Sequence, residues 1–203
     1  MGKPLLIVVS APSGAGKSTL CDRLLAEFPD IDYSVSCTTR DPRGAEVDGE
    51  DYFFMTREGF LARVARGEFL EHAEVHGNLY GTLRATVEDA FKDNQSIIMD
   101  IDVAGAAQVR AYVATLPPDN PLRRGFVDIF IKAPSLDELR RRIVSRGEDA
   151  PEAIELRMRN AVEEMKSAPL YRHQLVNDDL ERAYAELRGI VLAETADPDE
   201  KRV

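Results

Sequence analysis

Cysteine is nearly absent: two in 203 residues, Cys21 and Cys37, with no C-x-x-C pair. That favours two reduced thiols in a cytosolic protein over a disulfide. Basic charge is also short. Twenty-six Lys and Arg face 36 Asp and Glu, a net charge of −10. A general nucleic-acid binder needs a basic surface to displace counterions, so that class is excluded and any anionic ligand must be held by a local cluster of cations. Long apolar runs are missing too. LLIVV near the N-terminus has five apolar residues, too few for a signal core or a membrane span. Met1-Gly2 misses the acylation pattern because Leu6 stands where Ser or Thr is required. The expectation is a cytoplasmic protein that binds neither membrane nor nucleic acid. There is no internal repeat and no low-complexity segment.

What remains is ordinary soluble composition, 44% hydrophobic and 31% charged, in a length suited to one domain with a small insert. Leu5–Val9, Ile97–Ile101 and Val127–Ile131 are nearly continuous apolar runs and read as strands buried on both faces. Between them apolar residues recur at helical spacing: Leu20, Leu24 and Phe28; Val87 and Phe91; Leu136, Leu139 and Ile143. Pro151 suits the first turn of a helix carrying Ile154, Met158, Ala161 and Met165. Strands alternating with helices predict a parallel α/β sheet. Residues 34–83 break the rhythm with an alternating SVSCTTR, an aromatic YFFM and several glycines, and read as a small mixed insert. Thr115–Gly125, TLPPDNPLRRG, reads as a proline-rich loop, and the tail ADPDEKRV as a frayed end.

Directly after the first strand comes Ala11-Pro12-Ser13-Gly14-Ala15-Gly16-Lys17-Ser18-Thr19. This matches the phosphate-binding pattern G-x-x-x-x-G-K-[ST], with Ala11 in the first place. Gly14 and Gly16 let successive N–H groups face phosphate oxygens, Lys17 adds a point charge, and the Ser18 hydroxyl is a Mg²⁺ ligand. Such a loop names a nucleotide phosphate, not a reaction. Downstream, Arg40 and Arg43 can form a guanidinium clamp for a second phosphate, completed by the Tyr52 and Tyr80 hydroxyls. EHAEVH places His72 and His76 four apart but is not H-E-x-x-H.

The segments SAPSGAGKSTL, SVSCTTRDPR, GEDYFF, GEFLEHAEVHGNLYGT, DIDVAGAAQV, FIKAPSLDELRRRIVSRG and LVNDDL follow one another in an order and spacing that resembles guanylate kinases, over about residues 5–190. The resemblance implies an α/β fold: a P-loop NTPase-type parallel sheet flanked by helices, with a small mixed GMP-binding insert and a helical lid. It implies a core at residues 1–33, 84–136 and 161–195, the insert at 34–83, the lid at 137–160 and a tail at 196–203. The implied activity is Mg²⁺-dependent transfer of the ATP γ-phosphoryl group to GMP, a step of purine nucleotide metabolism, with use of dGMP and a monomer or homodimer left open.

Residue by residue, the resemblance assigns Ser36, Arg40, Arg43, Tyr52 and Tyr80 to the GMP phosphate. It assigns Glu71, Thr82 and Asp102 to guanine, whose N1–H and amino group suit a carboxylate and whose O6 suits a hydroxyl. Asp100 joins Ser18 at the metal. Ala11 to Thr19 hold the ATP phosphates, Arg142, Arg146 and Arg157 resemble lid arginines, and Asn177 falls near the adenine. Lys17, Arg40, Arg142, Arg146 and Arg157 are then the catalytic group. No Ser-His-Asp or Cys-His arrangement is apparent, and phosphoryl transfer to an anionic phosphate needs none. Four departures stand out: His72 and Leu79 replace aromatics expected near guanine, and Val103 and Ala104 replace a larger residue and a glutamine. Two alternatives stay open, a P-loop kinase for another nucleoside monophosphate and a non-catalytic guanylate-kinase-like protein-binding domain. A GTPase switch lacks its N-K-x-D segment.

Overall fold

The structure, a computed structural model, describes residues 2–75, 77–145, 147 and 150–196. Arg146, His76 and the tail from residue 197 therefore lie outside it. Five parallel strands form the main sheet: β1 (Leu6–Ser10), β2 (Ile31–Tyr33), β7 (Ser96–Asp100), β8 (Phe126–Lys132) and β9 (His173–Val176), in the order β2-β7-β1-β8-β9. The three apolar runs are its central strands. Alternate residues of β1 serve opposite faces. Ile7 and Val9 pack with Leu20, Leu24 and Leu187 from α1 (Lys17–Glu27) and α8 (Leu180–Thr195). Leu6 and Val8 pack with Val87, Val109 and Leu122 from α3 (Arg84–Lys92), α4 (Val103–Thr115) and α5 (Pro121–Gly125). A sheet covered on both faces has no polar face, which is why these strands are nearly continuous in apolar residues; Asp128 interrupts β8 and is paired there with Arg110.

A second sheet lies within the region that breaks the sequence rhythm: β3 (Cys37–Thr38), β4 (Phe53–Phe54), β5 (Phe69–Val75) and β6 (Asn78–Leu83), in the order β4-β3-β6-β5. With α2 (Arg57–Ala65) it buries a separate small core of Cys37, Phe60, Phe69 and Leu79. α6 (Leu136–Ser145) and α7 (Pro151–Met165) follow β8.

The proline-rich stretch is not all loop. Pro121 opens α5, where its missing N–H costs nothing, and the Asn120 side chain accepts from the Leu122 amide (2.9 Å). Leu122 is buried, so this single turn plugs the α3/α4 face of the sheet. Both cysteines are buried and free; burial pushes the Cys21 thiol up to about 12 and that of Cys37 up to about 11.

Candidate active site

The glycine-rich loop leaves β1 at its C-terminal end and enters α1. Gly14 and Gly16 sit at φ 88° and 89°, a left-handed conformation that L side chains rarely adopt. Gly16 occupies the N-cap position, and no side chain satisfies the amides behind it. These exposed N–H groups and the positive helix end make an anion site. The loop lines a cleft of about 290 Å³ running from Ala11 to Thr19, closed by Asp102 and Glu164.

Parallel pairing of β1 with β7 sets Val9 beside Asp100. Asp100 ends its strand facing the loop, and its carboxylate pairs with the Lys17 ammonium. Two residues on, the Asp102 side chain caps α4 by accepting from the Gly105 amide (2.7 Å). Asp100 and Asp102 also line a second cavity of about 190 Å³, together with Ser36, Tyr52, Glu71 and Tyr80. The two clefts thus meet at Asp102, with Asp100 of the smaller cavity paired to Lys17 of the loop.

Glu71 is buried on β5. Loss of solvent pushes its carboxyl up to about 7, further raised by Asp102 and opposed by Thr82. Thr82 is its partner across the β5/β6 pairing. The Thr82 hydroxyl is completely buried and meets no partner at hydrogen-bond geometry among the described residues. A buried carboxylate beside an unsatisfied hydroxyl is costly unless a ligand pairs with both. The array suits a flat ring offering N–H donors next to a carbonyl acceptor.

At the other end of this cavity, Glu46 holds the Arg40 guanidinium through two hydrogen bonds of 2.9 Å and also accepts from the Arg43 amide (2.7 Å). Those contacts with Glu46 raise the already high Arg40 pKa, and the guanidinium stays charged. Arg40 lies over the Tyr52 ring (5.3 Å to its centroid), and Tyr52 meets Tyr80 edge-on at 6.0 Å. Arg43 is exposed, and it is its backbone N–H that Glu46 holds.

On the loop side, Arg142 donates to Glu138 (2.7 Å) and to the Asn177 carbonyl (2.9 Å), and Arg157 reaches Ser13 Oγ at 3.5 Å. Arg146 lies outside the described residues. Asn177 is buried behind the loop, where its side-chain amide donates to the Ala15 carbonyl (2.8 Å). A Cβ on Gly16 would stand 2.2 Å from that nitrogen. The Asn177 side chain therefore braces the loop backbone. Arg140 and Arg141 pair with Glu155 and Glu138 on the surface.

Two expectations about departures need correction. His72 and Leu79 are not beside the cavity. Side chains alternate across a strand, so both face away from Glu71 and Tyr80. His72 packs against Phe60 and Phe69, with centroids 6.5 and 6.1 Å away, and Leu79 joins the same small core. Four contributors escaped the sequence reading: Glu46, Gly105, Gln108 and Glu164. Glu46 acts from a loop, Gly105, Gln108 and Glu164 meet residues distant in sequence, and none belongs to a periodic signal.

A family model described as guanylate kinase matches residues 3–194. The chain belongs to the guanylate kinase family. It is 49% identical over 194 residues to the guanylate kinase of Symbiobacterium thermophilum, covering 96% of this chain and 87% of that one. Identity to the guanylate kinase of Cereibacter sphaeroides is 47% over 190 residues, covering 94% and 86%. Among solved structures, the guanylate kinase of Anaplasma phagocytophilum matches with TM-score 0.73 and 33% identity, covering 98% of this chain and 89% of that chain. Membership of this family makes the chain an enzyme of the nucleoside monophosphate kinase class.

Proposed function

We propose that this protein transfers the γ-phosphoryl group of ATP to GMP, giving ADP and GDP, and that the two clefts are its two nucleotide sites. The observation that carries this is the meeting of the two clefts: Asp100 and Asp102 border the cavity of Glu71 and Tyr80, while Asp102 borders the phosphate loop and Asp100 pairs with Lys17. Nucleotides in the two sites lie with their phosphates toward each other.

Guanine enters the smaller cavity. The Glu71 carboxylate accepts from N1–H and the amino group, and the Thr82 hydroxyl donates to O6. Adenine presents a bare N1 acceptor to the same carboxylate and is refused. Asp102 borders the same ring site. Arg40, Arg43, Tyr52, Tyr80 and Ser36 take the GMP phosphate. Ala11 to Thr19 take the ATP phosphates, and Arg142, Arg146 and Arg157 close over them, with Asn177 acting through the loop it braces.

The donors at the loop, the Ser18 hydroxyl and the Asp100 carboxylate, are hard oxygens, and Asp100 already attracts one cation, Lys17. That set fits Mg²⁺. When bound there, Mg²⁺ neutralises charge on the ATP phosphate oxygens. A GMP phosphate oxygen attacks the γ-phosphorus in line, the new P–O bond forms, and the bond to the β–γ bridging oxygen breaks. The nucleophile is already anionic, so no base is required. Lys17 and the arginines offset the repulsion of two polyanions and the charge spreading over the moving group. Lys17 exchanges Asp100 for phosphate on binding.

The test is ADP release with MgATP in the presence of GMP, AMP, CMP or UMP, and with no acceptor. Release dependent on GMP and at least about 100-fold slower with the other acceptors is expected. Equal rates with and without GMP would overturn the assignment, and a preference for AMP, CMP or UMP would reassign the acceptor.

A further inference from the structure

The Glu71 carboxylate lies against helix α4, and the place where it lies is a glycine. A Cβ built on Gly105 would stand 2.8 Å from Glu71 Oε2, 3.4 Å from Glu71 Cδ and 3.4 Å from Asp102 Oδ1. No conformational need explains the glycine: Gly105 is in the first turn of α4 and has no positive φ. Alanine is the better helix former there. What glycine supplies is clearance. It also supplies an N–H, which donates to Asp102 Oδ1 (2.7 Å). The same face of α4 carries Gln108, one turn on, whose side chain accepts from the His72 amide (3.2 Å) and donates to the His72 carbonyl (2.9 Å). Gln108 pins the β5 backbone to the helix at the residue after Glu71. With the strand held close, the Glu71 carboxyl has room only because residue 105 lacks a side chain.

We propose that Gly105 is a specificity-determining positioning residue: its missing side chain admits the Glu71 carboxylate to the plane in which guanine is read. The inference rests on the assignment of guanine to this cavity. The atom that a Cβ would meet is the far end of a flexible side chain, so the fold can yield cheaply while the site cannot. The carboxylate would have to leave its berth against α4, and the open space beside it is the cavity lined by Ala73 and Tyr80.

The experiment compares wild type, Gly105→Ala, Glu71→Ala and the double variant with MgATP and either GMP or IMP, which lacks the 2-amino group. Thermal unfolding and the KM for ATP are measured on each. Gly105→Ala is expected to raise KM for GMP about tenfold or more, to shrink the preference for GMP over IMP, and to leave KM for ATP within about twofold with no fall in melting temperature. In the Glu71→Ala background the same substitution changes KM for GMP less than about twofold, because the group it displaces is gone. If Gly105→Ala fails to fold, recovery of the fold in the double variant supports the clash with Glu71, and its failure there overturns the proposal. An unchanged KM for GMP in Gly105→Ala, or equal losses for ATP and GMP, also overturns it. If Glu71→Ala itself leaves KM for GMP unchanged, it is the guanine assignment that fails.

Discussion

At the scale of single residues, the site runs on two charges, one penalised by burial and one held in place by an ion pair. Glu71 is the clearer one. Burial lifts its carboxyl to about 7, above the ordinary value of 4.5, so near neutrality the ligand-free protein holds it partly protonated. Guanine needs the ionised form, and binding strength follows the ionised fraction. KM for GMP should therefore rise about tenfold between pH 8 and pH 6, while KM for ATP stays level over that range. Stability moves the other way. A carboxyl whose folded pKa is raised stabilises least above that pKa, so the ligand-free protein should gain stability as pH falls from 8 toward 5. Glu71→Gln removes the ionisation. It should flatten both profiles, raise the melting temperature at pH 8 and weaken GMP binding, measured by calorimetric titration of each nucleotide. Arg40 is the second charge. Glu46 fixes it in a fork and also ties down the Arg43 backbone. Glu46→Gln keeps the shape but loses the charge-assisted pair. A fall in kcat/KM for GMP of about ten- to 100-fold is expected, with the ATP dependence unchanged. A loss shared equally by both substrates would place Glu46 in the fold and not in the clamp.

At the scale of elements, the site depends on how β5 is pressed onto α4. Glu71 is useful only at a fixed height above the helix, and the Gln108 pair with the His72 peptide sets that height. Gln108→Ala removes both bonds and leaves a part-buried peptide without them. It should raise KM for GMP about five- to tenfold and cost about 1–3 kcal/mol of stability, read by denaturant titration. Sequence patterning reached some of this. The central strands were legible as apolar runs because a strand covered on both faces has nothing polar to show. The edge strands β2 and β9 were not: IDY and HQLV are short and half exposed. α5 was hidden behind its prolines, which mark a helix start as readily as a loop. The helix pattern through Leu139 and Ile143 was correct as a helix. What it could not tell is that these residues pack on the phosphate loop, where a Cβ on Gly14 would stand 3.0 Å from Ile143 and 3.4 Å from Leu139.

At the scale of the whole molecule, that packing bears on motion. Leu139 and Ile143 anchor the described part of α6 to the core beside the loop. α7 is the element that carries Arg157 to the loop rim. Water must be kept from the transferring group, and the two clefts meet at a single wall. A bisubstrate analogue bridging both sites should draw the second sheet and α7 inward. Small-angle scattering should show a smaller radius of gyration with the analogue than with GMP alone or with a non-hydrolysable ATP analogue alone. Equal radii in all three states would remove closure from the account. With a net charge of −10, the proposed assignment requires local arginines to hold the anions, since the molecule has no general positive field.

The amino-acid sequence by itself determined the phosphate loop, because Gly14, Gly16, Lys17 and Ser18 act through backbone conformation and neighbouring atoms, and local chemistry is written in local order. It determined the parallel α/β class for the same reason, since burial on both faces of a strand is recorded in consecutive residues. Only the tertiary structure decided which carboxylates meet. The β1/β7 register put Asp100 on Lys17, the β5/β6 pairing put Thr82 beside Glu71, and α4 left a gap at Gly105 for the carboxylate to fill. Those are contacts between residues eleven to 83 positions apart, set by packing and steric clearance, and no periodicity along the chain records them.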